Sequence, residues 1–179
     1  MKNNLTKKIL LTLTVSGAIV IAATSPYFLV NLARRYFRYS EYDKRKITKT
    51  ISRLNKNRFI ILRKAGDNII IKLTEKGRSR VKKYQLKDLA IKKPESWDKK
   101  WRLVMFDIPD KKRARDTLRW KLKEMGFCQL QKSVWVFPYP CEEEIGFLTD
   151  FFEINQNIKI ATADKIFEDK ELKEYFKLR

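Results

Sequence analysis

Apolar residues recur along this chain in different rhythms, and each rhythm predicts a different element. In KRKITKTISRLNKNRF, Ile47, Ile51 and Leu54 stand four and three residues apart, on one face of a helix over 43–57. Lys46, Lys49, Thr50, Arg53 and Lys56 fall on its opposite and flanking faces. Ser40-Glu41-Tyr42-Asp43 offers this helix a cap with an acid three residues on. FIILRK and NIIIKLT are short isoleucine-rich runs separated by Lys64-Ala65-Gly66-Asp67-Asn68, the pattern of a hairpin. Glu75-Lys76-Gly77 then leads into a basic helix over RSRVKKYQLKDLA.

The stretch from Ile9 to Ala33 contains no charged residue. It predicts helices roughly over 5–21 and 26–38, the second with Ser25 as N-cap and Pro26 in its first turn. The same length suffices to cross a bilayer, so a membrane anchor through residues 9–33 is an alternative, and a signal peptide behind Lys7 and Lys8 another. Thr12, Thr14, Ser16, Thr24, Ser25 and Asn31 dilute the segment, and basic residues flank both its ends. Buried helices are the expectation. The order helix, helix, helix, hairpin, helix is that of a winged helix-turn-helix.

Lys92-Lys93-Pro94-Glu95-Ser96 reads as a hinge, which predicts a first domain over 1–90, a linker over 91–96 and a second domain over 97–179. WRLVMFDI is a buried strand in pattern. A helix over 111–125 carries Leu118, Leu122 and Met125 on one face and ends at Gly126. FCQLQKSVWVFPY reads as one long strand or as two bent near Lys132-Ser133. Glu142-Glu143-Glu144 opens a helix through about Phe152, NIKIATAD is a last strand, and 169–177 a terminal helix. The order β-α-β-β-α-β predicts a ferredoxin-like module. The expected fold class is therefore α+β, an N-terminal winged helix-turn-helix followed by a ferredoxin-like domain.

Charge separates the halves. Residues 1–96 hold 24 Lys and Arg against 6 Asp and Glu, whereas residues 97–179 hold 17 against 15. Nearly all of the +20 formal charge thus lies in the front half, where a polyanion would be attracted. Histidine is absent, which excludes imidazole catalysis and histidine-ligated zinc. Cys128 and Cys141 fit neither a disulfide scaffold nor a metal motif, which points to the cytoplasm.

On the winged-helix reading, Lys49 and Arg53 are candidates for base edges or phosphates, with Lys46, Thr50 and Lys56 beside them. Arg58, Arg63, Lys64 and Lys72 are candidates for positioning the phosphate backbone. The bland reading is an amphipathic helix with a solvated cationic face. Trp97, Trp101, Trp120 and Trp135 are expected in a core or a dimer interface, ahead of base stacking.

The segment KKWRLVMFDIPDKKRARDTLRWKLKEMGFCQLQKSVWVFPYPCEEEI resembles the central domain of the phenylacetate-degradation repressor (PaaX) family. That domain is in turn similar to the small ferredoxin-like protein of CRISPR adaptation. LNKNRFI and KLTEKG, on either side of the hairpin, resemble the family's winged-helix domain. The resemblance implies a homodimeric repressor of double-stranded DNA, with DNA reading by helix 43–57 and the hairpin at 63–72. Full-size members continue further and are released by an acyl-coenzyme A; the resemblance implies that this chain lacks their longer C-terminal region, and any effector is unknown. The CRISPR-side relatives imply a second role: Asp107, at the end of the first strand of the module, would bind Mg²⁺ with a partner's copy. That makes a metal-dependent nuclease centred on Asp107 the rival reading, with Asp110 an alternative cap for the following helix. No other cofactor is expected. An adaptation-type DNA scaffold and a membrane-tethered nucleic-acid binder are further alternatives.

Overall fold

The computed structural model describes residues 5–22 and 44–178. The chain divides into two compact units, one ending at Lys87 and the other beginning at Asp88, a little ahead of the 91–96 segment.

In the first unit, α1 (Leu5–Ser16) is followed by β1 (Ala18–Ala22), α2 (Lys44–Lys56), β2 (Ile60–Ala65), β3 (Asn68–Leu73) and α3 (Glu75–Asp88). The expected helix over 5–21 therefore ends five residues early. Gly17 adopts φ +69°, a left-handed conformation that closes a helix at little cost without a Cβ. The run behind it, Ala18-Ile19-Val20-Ile21-Ala22, is rich in β-branched residues and pairs antiparallel with β3 from Ala18↔Lys72 to Ala22↔Asn68. The hairpin thus becomes a three-stranded sheet in the order β1-β3-β2. A continuous span over 9–33 is broken by this strand, and no helix among the described residues is long and apolar enough to cross a membrane. The helix expected over 26–38 and the Ser40 to Asp43 cap lie outside the described residues.

The core of this unit joins every described helix to the sheet. Leu10 and Leu13 of α1, Ile47, Ile51 and Leu54 of α2, Ile60 and Ile71 of the hairpin and Val81 of α3 form one buried cluster. The α2 stripe is the one expected from its spacing. The hairpin turn is tighter than expected: Ala65 pairs with Asn68, and Gly66 at φ +56° with Asp67 completes the connection.

In the second unit, β4 (Trp101–Phe106), α4 (Lys112–Glu124), β5 (Cys128–Gln131), β6 (Val134–Phe137), α5 (Glu142–Phe152), β7 (Ile158–Ala163) and α6 (Lys170–Phe176) follow in the order expected. All pairings are antiparallel and the strand order is β5-β6-β4-β7. Lys132-Ser133 is the turn between two separate strands. Val104, Phe106, Leu118, Leu122, Trp135, Ile145 and Leu148 are buried. Trp101 and Val136 form a cluster with Leu172, against which Trp97, Leu103 and Phe176 pack, so α6 is part of the fold.

The first strand begins at Trp101, the first residue of WRLVMFDI, and ends at Phe106, two residues before that run does. Residues 97–100, ahead of it, make a polar tie. Buried Arg102 donates to both Asp98 carboxylate oxygens at 2.8 and 2.6 Å, and to the carbonyls of Lys100 and Pro138. This bidentate bond, chiefly, holds the Asp98 carboxyl below the ordinary carboxylate range.

Candidate nucleic-acid interface

The helix α2 is clamped on one face and leaves another exposed. Arg45, Lys49, Ser52 and Lys56 follow at spacings of four, three and four, opposite Ile47, Ile51 and Leu54, and are all exposed. Lys49 and Lys56 were expected in such a row. Arg45 and Ser52 were missed, although the same spacing marks them. Lys46 and Arg53 sit on a flank, where Arg53 Nη2 donates to Thr6 Oγ1 of α1 at 3.0 Å. Thr50 is turned inward: it is 9% exposed, and its hydroxyl donates to the Lys46 carbonyl at 2.7 Å. A β-branched residue beside the Ile47, Ile51 stripe packs there, and its hydroxyl bonds back into the helix.

The end of α2 is tightly specified. Arg58 takes φ +57°, its N–H bonds the Asn55 carbonyl, and the Phe59 N–H bonds that of Leu54. This paired closure is a Schellman motif, with an arginine where glycine is the usual choice. Thr74 then joins the two motifs that flank the hairpin. Its N–H donates to the Phe59 carbonyl, its hydroxyl donates to the Arg58 carbonyl at 2.6 Å, and that hydroxyl accepts the Gly77 N–H at 3.0 Å. Thr74 is therefore the N-cap of α3, which starts at Glu75, three residues before the expected basic run.

Register sorts the hairpin cations. The pairs Ile61↔Lys72 and Arg63↔Ile70 put Arg63 and Lys72 diagonally on the face turned away from Ile60, Ile71 and Leu73. Lys64 pairs with Ile69 at the hairpin end and belongs to the opposite side. All three are exposed, as is Arg58. The structure thus assembles Lys49 and Lys56 on one helix face and Arg63 and Lys72 on one hairpin face, and sets Thr50 apart from both.

Asp107 occupies a different place. It is exposed at the end of β4, its N–H donates to the Asn157 carbonyl at 2.9 Å, and its carbonyl accepts Asn157 Nδ2 at 2.8 Å. With Met105, Phe106, Ser133, Val134, Gln156 and Lys159 it lines an open cleft of about 460 Å³. Asp107 is the one carboxylate in that lining, and Lys159 brings a positive charge beside it. A hard divalent cation wants six or more oxygen ligands, so these residues of a single chain do not fit Mg²⁺. No group of three or more His, Cys, Asp or Glu gathers among the described residues. Asp110 does not cap α4: Lys111 holds the N-cap position, without a side-chain cap bond. Of the tryptophans, Trp101 and Trp135 are buried and Trp97 is half-buried, while Trp120 is 60% exposed on α4.

With this geometry in place, residues 94–174 match the family described as the PaaX protein central Cas2-like domain. The second unit is a PaaX-like central domain. The resemblance seen in β4 through α5 is thereby borne out, and the matched region runs on through β7 and most of α6, which completes the sheet and its Trp101 cluster. No curated protein matches the chain. The PaaX central domain contains Asp107 but none of the cations on α2 and the hairpin.

Proposed function

We propose that this PaaX-like protein is a sequence-specific, double-stranded-DNA-binding transcriptional regulator, a repressor acting as a homodimer in the cytoplasm. On this reading the first unit is a winged helix-turn-helix: α2 enters the major groove and the β2–β3 hairpin is the wing. The PaaX central domain is a ferredoxin-like dimerisation module. The observation that carries the reading is the outward row of α2, with Lys49 and Lys56 opposite a fully buried stripe; the hairpin separately bears Arg63 and Lys72 on its own outer face. Lys46, Arg53 and Arg58 flank this surface and Lys64 stands at its tip. Phosphate contacts by these side chains would set register, and the outward row of α2 would meet base edges.

The test is selection of bound duplexes from fragmented genomic DNA by the full chain in Mg²⁺, with the recovered DNA checked for enrichment and for cuts. Enrichment of an intact, near-palindromic site supports a dimeric regulator. Uniform recovery of uncut DNA would replace it with an architectural or adaptation-type binder. Metal-dependent fragments lost in Asp107→Asn would replace it with a nuclease.

A further inference from the structure

The flank of α2 faces a cleft of about 280 Å³ formed by α1, α2 and α3. Arg53 and Arg80 both line it, and no carboxylate does. Arg53 is steadied by its bond to Thr6 Oγ1. The Arg80 guanidinium lies 5.6 Å from the ring centroids of both Phe59 and Tyr84, within cation–π reach of two aromatic side chains. Among the described residues neither arginine forms an ion pair, and the Arg80 side chain makes no hydrogen bond. Planar forks of this kind match phosphate and carboxylate oxygens two at a time. The remaining walls are mixed: Leu10, Leu54, Phe59 and Tyr84 give an apolar side, and Thr6 and Asn57 line the same space with polar groups.

We propose that this cleft binds a small organic anion that joins a phosphate or carboxylate group to an apolar ring. The two guanidinium groups take the anionic group, and the apolar ring lies against the aromatic wall. A bare phosphate would have only the first of these interactions, which any basic patch of this unit also offers. The cleft lies beside α2, off the outward row, so its occupant need not be a duplex. Because Arg53 belongs to α2, an occupant that recruits its guanidinium ties that side chain to the cleft; only this consequence rests on the DNA reading above.

Phenyl phosphate is the probe, titrated into the full chain by calorimetry at about 0.15 M salt, where loose surface attraction is screened. The expected result is a single saturable site, at least about tenfold tighter than for inorganic phosphate. Arg80→Gln should weaken it about tenfold or more, while Arg78→Gln should leave it unchanged, since Arg78 is already paired with Glu75 at 2.8 Å. Arg80→Lys keeps a cation but loses the fork; it provides a second variant and should also weaken the site. Equal weakening by Arg78→Gln and Arg80→Gln, several equivalent sites, or equal affinity for inorganic phosphate would overturn the proposal. Duplex binding by Arg80→Gln, measured in parallel, should be retained. If no variant binds duplex while phenyl phosphate still binds the wild type, the DNA reading fails and the cleft stands.

Discussion

The α-carbon of Gly77 rests against the carbonyl oxygen of Phe59 so closely that a side chain at 77 would collide with the backbone there, and with Leu73 Cδ2 at 2.9 Å. The same carbonyl accepts the Thr74 N–H, so the end of α2 and the start of α3 are locked through one peptide group. Gly77→Ala forces the two apart. The expected loss is roughly 2 kcal/mol or more, because a backbone atom cannot rotate away as a side chain can. All four tryptophans lie in the second unit, which separates the signals. Far-UV circular dichroism should show an earlier transition, with tryptophan fluorescence unmoved.

Arg58 is the mirror case, a side chain at φ +57° where glycine would be unstrained. Arg58→Gly should stabilise the first unit by on the order of 1 kcal/mol, read as a higher denaturation midpoint. It also removes a cation from the proposed interface. Duplex affinity should fall while stability rises, and a loss of both would mean that the arginine side chain holds the turn.

These two positions also show how far the sequence was legible. The second unit followed element by element, because each strand and helix there has its own stop: Pro109, Gly126, Lys132-Ser133 and the Glu142 run. The stripe of α2 and the hairpin were equally plain. The strand β1 was not, because AIVIA follows a helix directly and a short apolar run has no period to tell helix from strand. Gly17 was the available signal. Thr50 was misplaced because a hydroxyl type does not reveal whether it faces water or bonds back to the helix. The meeting of Arg53 with Arg80 was out of reach, since it depends on how α2 and α3 pack.

The Arg102–Asp98 bond gives the second unit an acid-sensitive tie. The folded carboxyl titrates below its unfolded value, so the pair contributes fully above the ordinary carboxylate range and is lost as pH falls through the folded value. Asp98 is 43% exposed, so solvent screens the pair, and Asp98→Asn should cost about 1 kcal/mol or less near neutrality. The gap between wild type and variant should narrow below about pH 4. Tryptophan fluorescence melts across this range would check it, and a gap independent of pH would contradict it.

Cys141 is buried, and burial first, then Glu142 and Glu144, push its thiol up to about 12. The thiol stays protonated near neutrality and should react with a disulfide reagent only after unfolding, because the thiolate is the nucleophile. Cys128 is half-buried, and burial raises its thiol too, so it should label slowly in the native protein. Thiol release in buffer should stop near one equivalent and reach two in denaturant. Cys128→Ser should remove the native fraction.

The helix α2 separates cations that can reach a duplex from a hydroxyl that cannot. Lys49 and Lys56 are exposed on the outward row, so each phosphate contact they make releases counterions on binding. Lys49→Gln and Lys56→Gln should each lower the slope of log affinity against log salt by about 0.9 if they meet phosphates. A lysine that reads a base should instead relax preference at one position of the selected site. Thr50 is 9% exposed with its hydroxyl committed to the Lys46 carbonyl. Thr50→Ala should leave the salt slope and the site preference as they are, because no contact with DNA is removed. Thr50→Ser keeps the hydroxyl and loses the methyl, and should do the same. If Thr50→Ala weakened binding as much as Lys49→Gln, α2 would be presenting a different face to DNA from the one opposite Ile47 and Ile51.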